Sequence, residues 1–116
     1  MLKNFRPILI IAGDPKSVFL EIYFKSLKKN KFKRPLILIV NEKILSEQMR
    51  ALKYNFKINK IDINSLNYKD LNNKKINIIH IPLDRKFVSE YIYQSFEKAL
   101  LLIEKNNKIN LINGPI

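Results

Sequence analysis

Apolar runs and amphipathic stretches alternate along this chain, and the two kinds of segment have the lengths of strands and helices. The runs 7–12 and 35–40 are continuously apolar, which is typical of parallel strands that are covered on both faces. The segments 76–81 and 109–113 are predicted as two further strands. A fifth segment, 56–63, alternates apolar and polar residues with one break, which predicts a more exposed strand.

Three segments between these strands repeat their apolar residues at helical spacing, so each is predicted to bury one face. The first helix is expected from Ser17 to Asn30, the second after an Asn41 cap and the third after an Asp84 cap. The predicted core positions of the first helix are Val18, Phe19, Ile22, Tyr23, Ser26 and Leu27. Those of the other two are Ile44, Leu45, Met49 and Leu52, and then Val88, Tyr91, Ile92, Phe96, Ala99, Leu100 and Ile103. The polar segment 64–75 is predicted to be a loop.

Strands separated by helices predict an α/β fold of three layers, in which a mostly parallel sheet of about five strands has helices on both faces. Residues 1–116 are predicted to form a single domain, because 47% of them are hydrophobic and can supply a modest core. The last strand, 109–113, is expected to lie centrally in the sheet, with later elements absent from one side.

The composition excludes several classes of protein. There is no cysteine, so neither a disulfide framework nor a thiol nucleophile is available. No apolar run approaches the roughly 20 residues that span a bilayer, and the first apolar strand is too short for the core of a signal peptide. The chain is therefore predicted to be cytoplasmic and to have no membrane partner.

The net charge of +12 would allow a nucleic-acid or acidic-lipid partner, but its distribution argues against a dedicated site. Lysines are scattered along the whole sequence, and only four residues are arginine, the better bidentate ligand of phosphate. Most aromatic residues fall on the predicted helical core stripes instead of among the lysines. A solvated basic surface is the favoured interpretation, and nucleic-acid binding is kept as the alternative.

Gly13-Asp14-Pro15 follows the first strand and precedes the first helix, where α/β proteins place ligand-binding backbone. The tripeptide taken alone is also what an ordinary strand-to-helix turn contains. With two glycines, and neither a Gly-x-Gly-x-x-Gly nor a Walker motif, the chain has no glycine-rich phosphate loop. His80 is the one histidine and lies inside a predicted strand, which favours a hydrogen-bonded structural role over metal binding.

Both ends of the chain resemble one enzyme family. The segment 13–21, Gly-Asp-Pro-Lys-Ser-Val-Phe-Leu-Glu, is similar to the Gly-Asp/Glu-Pro-Ala-Gly-Ile-Gly-Pro-Glu signature of 4-hydroxythreonine-4-phosphate dehydrogenases. The segment 110–116, Asn-Leu-Ile-Asn-Gly-Pro-Ile, resembles the strand of that family that ends in Val-Thr-Ala-Pro-Ile. The non-conservative departures from the first signature are Lys16, Ser17, Phe19 and Leu20.

The resemblance implies an NAD-dependent oxidoreductase of pyridoxal phosphate synthesis, which oxidises a phosphorylated hydroxy amino acid with the help of a divalent metal and then decarboxylates it. The family shares its fold with isocitrate and isopropylmalate dehydrogenases, in which the first loop lies beside the active-site cleft. Gly13, Asp14 and Pro15 are therefore predicted to border the cofactor side of a cleft, with Glu21 supporting them from the helix. The family's metal-binding histidines and substrate-phosphate ligands correspond to positions beyond this chain, so no catalytic or metal-binding residue is predicted within it.

The resemblance also implies that the chain is the N-terminal portion of a longer enzyme, whose remainder or a second copy would be its partner. The isolated chain is then expected to bind no cofactor, to lack activity and to self-associate through exposed apolar surface. Two alternatives stay open. One is a small basic α/β module that binds a nucleic acid or a protein, and the other is a remnant that pairs with a full-length homologue.

Overall fold

Five strands and three helices make up the part of the chain that a computed structural model describes, which is residues 7–65, 71–83, 86–105 and 110–114. The strands are β1 (Ile8–Ile11), β2 (Leu36–Val40), β3 (Lys57–Lys60), β4 (Lys75–His80) and β5 (Asn110–Asn113). The helices are α1 (Phe19–Lys29), α2 (Glu42–Ala51) and α3 (Val88–Lys105), and a 3-10 turn covers Ile63–Ser65. Each strand and helix lies in the segment where the periodicity predicted it, except that β4 begins one residue earlier, at Lys75, which was predicted to belong to the loop.

The strands form one parallel sheet in the order β3-β4-β2-β1-β5. β2 is buried along its whole length because it lies between β1 and β4 in the middle of the sheet. β3 is partly exposed, as its alternation predicted, since it is an edge strand. Among the described residues β5 pairs with β1 alone, so the prediction of a central position for 109–113 is wrong for this sheet. The 51% exposure of Ile112 reflects this edge position.

Alternate residues of the strands enter two separate apolar layers. On one face of the sheet Ile10 belongs to a core that includes Phe24 of α1 and Leu45 of α2. On the other face Ile11 belongs to a core that includes Leu102 of α3. Full burial of each such side chain stabilises the fold by about 1.5–3 kcal/mol. Helices therefore cover both faces, which confirms the predicted three-layer α/β fold.

The buried face of α1 is rotated from the predicted one. Tyr23 and Phe24 are buried, whereas Val18 and Ile22, which were predicted to be core residues, are 67% and 55% exposed. The fully buried ring of Phe24 stacks on Phe56 with a centroid distance of 6.2 Å, so the buried face of α1 includes Phe24. Spacing alone could not select the face, because apolar residues lie on more than one side of this helix.

The buried face of α3 differs from the prediction at three positions, one of which is Ser95, buried without having been predicted. Leu100 was predicted to lie in the core and is 57% exposed, whereas Leu102 is fully buried. Leu102 shares a face with Tyr91 and Ala99, which lie eleven and three residues before it. The sequence carries leucine at each of the positions 100–102, so hydrophobicity could not indicate which of them faces the sheet.

The polar residues at the start of α2 have the structural roles that were predicted. Asn41 caps the helix, since its Oδ1 accepts the N–H of Ile44 at 3.1 Å. The Nδ1 of His80 accepts the N–H of Glu42 at 3.1 Å, which confirms a hydrogen-bonded structural role for this histidine. Asp84, the predicted cap of α3, lies outside the described residues.

Candidate active-site cleft

At the carboxyl ends of the strands, the chain leaves the sheet toward both faces. After β2 it enters α2 on one face, and after the neighbouring β4 it leads to α3 on the other. In open α/β sheets, ligands bind in the crevice outside the carboxyl ends at such a switch point. A cleft of about 330 Å³ lies there. Its lining residues are Pro15, Lys16, Ile44, Glu47, Gln48, Leu83 and Val88.

Gly13, Asp14 and Pro15 form the loop between β1 and α1, and Pro15 reaches the wall of this cleft. Gly13 is buried and has a φ of 80°, a left-handed conformation that a residue with a Cβ adopts only with strain. The Oδ1 of Asp14 accepts the N–H of Lys16 at 2.9 Å, and its carbonyl accepts the N–H of Ser17 at 3.0 Å. The loop is therefore a tight turn that places Pro15 and Lys16 on the cleft wall.

Glu21, the fourth residue predicted for the cofactor site, lies in the helix that follows this loop. It belongs to the first turn of α1, where the helix dipole favours an acidic side chain. Its Oε2 is 3.9 Å from the Nζ of Lys25, one turn further along the helix. Of the four predicted residues, Pro15 lines the cleft, Gly13 and Asp14 precede it in the same turn, and Glu21 has an ion-pair partner along its own helix. A cofactor-binding role for these four residues stays a prediction.

Phe19 fills the space between the ends of β1 and β5. The N–H of Gly114 donates to the carbonyl of Ile11 at 2.7 Å, which ties the end of β5 to β1. A Cβ on Gly114 would lie 2.5 Å from the carbonyl oxygen of Ala12 and 3.0 Å from the Cγ of Phe19. In the signature that this chain resembles, Phe19 replaces a glycine and Gly114 replaces an alanine. Phe19, which is larger than the glycine it replaces, thus lies next to Gly114, which is smaller than the alanine it replaces.

A buried hydrogen-bond network joins the ends of β2 and β4 to α3 beside the cleft. The Tyr91 hydroxyl accepts the N–H of Asn41 at 3.0 Å, and the Asn41 Nδ2 donates to the Ile81 carbonyl at 2.9 Å. Burial raises the pKa of the Tyr91 hydroxyl, and the hydrogen bond from Asn41 opposes this effect. From the sequence, Tyr91 was predicted only to be a core residue. A tyrosine at a core position also indicates a buried hydrogen bond, because its hydroxyl needs a partner there.

Ile44, Glu47 and Gln48 of α2 line the cleft, but hydrogen bonds within the protein already occupy two N–H groups at the start of this helix. The N–H of Glu42 donates to His80, and that of Ile44 donates to Asn41. Free N–H groups at a helix N-terminus bind phosphate, and these two are committed elsewhere. The cation that the cleft offers to an anionic group is therefore Lys16.

Two further findings concern the described part of the chain. No three His, Cys, Asp or Glu side chains in residues 7–65, 71–83, 86–105 and 110–114 lie close enough together to hold a metal ion. Within the same ranges, none of the helices combines the length and the apolar composition that crossing a bilayer requires.

Solved structures share this architecture, although neither a protein-family model nor a curated protein sequence matches the chain. Over 96% of its length the chain matches a 4-hydroxythreonine-4-phosphate dehydrogenase from Burkholderia phymatum, with a TM-score of 0.75 and 19% identity. An enzyme of the same name from Klebsiella pneumoniae matches 95% of the chain, with a TM-score of 0.77 and 17% identity. A putative one from Salmonella typhimurium also matches 95%, with a TM-score of 0.74 and 17% identity.

The chain has the fold of part of a 4-hydroxythreonine-4-phosphate dehydrogenase. It covers 36% of the Burkholderia enzyme and 37% of each of the other two. At these identities the likeness establishes the fold, and it confirms the structural side of the resemblance that the segments 13–21 and 110–116 indicated.

Proposed function

We propose that this chain forms one wall of the cofactor cleft in a cytoplasmic, NAD-dependent dehydrogenase that resembles the 4-hydroxythreonine-4-phosphate dehydrogenases. The observation that carries the proposal is the cleft at the switch point of the sheet, in a fold whose solved counterparts are dehydrogenases. Pro15 and Lys16 bring the loop that resembles the family signature to the wall of that cleft.

In this proposal the loop binds and orients the cofactor and takes no part in bond breaking. When bound, NAD would supply the acceptor for the hydride of a secondary alcohol in a phosphorylated hydroxy amino acid; the hydroxyl proton would leave to solvent, and the 3-keto acid so formed would lose carbon dioxide. Gly13 turns the backbone toward the cofactor, and the carboxylate of Asp14 accepts a hydrogen bond from a cofactor hydroxyl. Lys16 supplies a positive charge for a phosphate group. Glu21 supports the loop from the first turn of α1.

The isolated chain is expected to show no turnover, because the family's metal and substrate-phosphate ligands correspond to positions outside its sequence. The measurement is NADH formation from phosphorylated 4-hydroxythreonine in the presence of NAD and a divalent cation. The Klebsiella enzyme, assayed in parallel, shows that the reagents are competent. Clear turnover by the isolated chain would contradict the proposal that the activity requires further polypeptide.

A chimera tests the loop itself. In it, this chain replaces the matching part of the Klebsiella enzyme, and Asp14→Ala is expected to raise the KM for NAD on the order of tenfold, since a hydrogen bond to a charged group is lost. Asp62→Ala is the matched control, because the Oδ1 of Asp62 accepts the N–H of Asn64 at 2.9 Å in the same kind of turn, which follows β3 and not β1. An equal KM in the two variants would remove Asp14 from the cofactor site.

Association with further polypeptide is the second part of the proposal. Val18, Ile22 and Ile112 are more than half exposed, and β5 is an edge strand of the described sheet. Exposed apolar residues beside an edge strand favour pairing with another chain. Sedimentation of the isolated chain is expected to show concentration-dependent association, which Ile112→Asn weakens. A monodisperse monomer with a cooperative melt at high temperature would contradict this expectation.

A further inference from the structure

Charge is distributed unevenly between the amino ends and the carboxyl ends of the strands. At the amino ends of the strands, the segments 30–35, 52–56 and 71–74 contain no acidic residue. Six exposed lysines lie in these segments or at the first positions of β3 and β4, and we call them the basic edge: Lys31, Lys33, Lys53, Lys57, Lys74 and Lys75. At the opposite, carboxyl edge, each of the segments that follow β1, β2 and β3 carries an acidic residue. The fold therefore places lysines that are scattered in the sequence at the same ends of the strands.

Helix dipoles explain only part of this asymmetry. Basic residues are favoured in the last turn of a helix, which accounts for Lys28 and Lys29 of α1. Lys31 and Lys53 lie two residues after the carboxyl ends of α1 and α2, so the dipoles favour them as well, but Lys57, Lys74 and Lys75 lie at or just before the starts of β3 and β4 and are not explained in this way. Lys53 even has a φ of 63°, in the left-handed position after a helix where glycine is the usual residue. Glu104, in the last turn of α3, is the acid at this end of the sheet among the described residues.

Hydrogen bonds join the loop before β4 to the loop before β2, so these two parts of the basic edge lie next to each other. The Oδ1 of Asn73 accepts the N–H of Leu36 at 2.9 Å, and its Nδ2 donates to the carbonyl of Arg34 at 2.8 Å. Lys57 and Lys75 are direct partners in the register of β3 and β4. Because neighbouring strands are about 4.8 Å apart, these lysines lie side by side on a fixed frame.

We propose that the basic edge binds single-stranded RNA. A row of exposed lysines without interspersed acids suits a phosphate backbone. Phe32 lies between Lys31 and Lys33 and is 38% exposed, so its ring can stack on a base. The described helices meet this edge only with their carboxyl ends, so none of them is presented lengthwise to the major groove of duplex DNA. The cleft lies at the opposite edge, so RNA binding and cofactor binding can be tested separately.

Fluorescence anisotropy of a labelled oligouridylate at several salt concentrations tests the proposal. The variant Lys57→Gln/Lys75→Gln removes two neighbouring charges from the basic edge. The variant Lys43→Gln/Lys98→Gln makes the same change in net charge at exposed positions of α2 and α3, and serves as the control. Unfolding curves for both variants show that the fold is kept.

For single strands, each phosphate contact contributes about 0.7 to the slope of log K against log salt concentration. The loss of Lys57 and Lys75 is expected to lower that slope by about 1.4, so the fall in affinity between about 50 and 200 mM salt becomes about sevenfold smaller. The control variant is expected to keep the slope of the unsubstituted chain. Phe32→Leu keeps an apolar side chain and is expected to weaken binding at least about fivefold without changing the slope, because stacking releases no counterions.

Three kinds of result would overturn the proposal. The first is an equal change in the Lys57/Lys75 and control variants, or binding that vanishes at modest ionic strength, because either indicates only attraction to the net charge. The second is tighter binding to duplex DNA of the same length. The third is binding to phosphatidylserine vesicles that depends on Lys57 and Lys75 while RNA binding does not, which would assign the basic edge to a membrane surface.

Discussion

The loop that follows β1 and the loop that precedes β2 lie at opposite ends of α1, and different contacts hold them in place. In the first, Asp14 accepts the N–H of Lys16, only two residues away. In the second, Arg34 donates to the side chain of Asn110 at 2.6 Å and to the carbonyl of Pro7 at 3.3 Å. The side-chain contact of Asp14 is therefore local and its loss should disturb the sheet little, whereas Arg34 helps to hold β1, β2 and β5 together.

The largest effect is expected where the first loop meets the end of β5. In Gly114→Ala the new Cβ would lie 2.5 Å from the carbonyl oxygen of Ala12, so the backbone has to shift. We expect the free energy of unfolding to fall by about 3 kcal/mol, as for an overpacked core position. Urea unfolding at low protein concentration, followed by circular dichroism, measures the loss. Ile112→Ala, at a half-exposed position of the same strand, is the control and should cost less than about 1 kcal/mol.

Asn73 lies before β4, and its side chain bonds to residues at the start of β2, so it tests how long-range contacts hold the loop that precedes β2. Asn73→Ala removes a hydrogen bond from the N–H of Leu36 and one to the carbonyl of Arg34, and we expect a loss of about 2 kcal/mol in the same urea experiment. Asn72→Ala and Asp14→Ala each remove a contact within two residues of the side chain and should cost less than about 0.5 kcal/mol. Equal losses in all three variants would show that local and long-range contacts fix these loops equally well.

The smallest expected effect lies in α1, the helix that joins the two loops, and it appears only at alkaline pH. Burial raises the pKa of the Tyr23 hydroxyl above its ordinary value of 10.0. Above pH 10 the unfolded chain therefore loses this proton while the folded chain keeps it, so the free energy of unfolding falls as the pH rises. Tyr23→Phe should remove this contribution, which is about 1 kcal/mol one pH unit above 10. Parallel pH dependences in the two proteins would show that Tyr23 ionises equally easily in both states.

The candidate site could be predicted from the sequence only in part. Gly13, Asp14 and Pro15 were recognisable because a loop after a buried strand shows as a local change of pattern. The opposite wall of the cleft, with Glu47 and Gln48 of α2, was missed, because these residues look like an ordinary solvated helix surface in the sequence. They become part of a cleft only when α2 is placed beside that loop.

The sequence by itself determined the fold class, the order of strands and helices, the cap at Asn41 and the exposed character of β3. These features depend on neighbours along the chain, since a strand covered on both faces must be apolar throughout and a surface helix only along one stripe. The tertiary structure alone decided which face of α1 is buried, that β5 lies at the edge of the described sheet, and that scattered lysines form the basic edge. Each of these depends on contacts between residues far apart in the chain, such as Phe24 with Phe56 or Arg34 with Asn110, and a local pattern carries no information about such contacts.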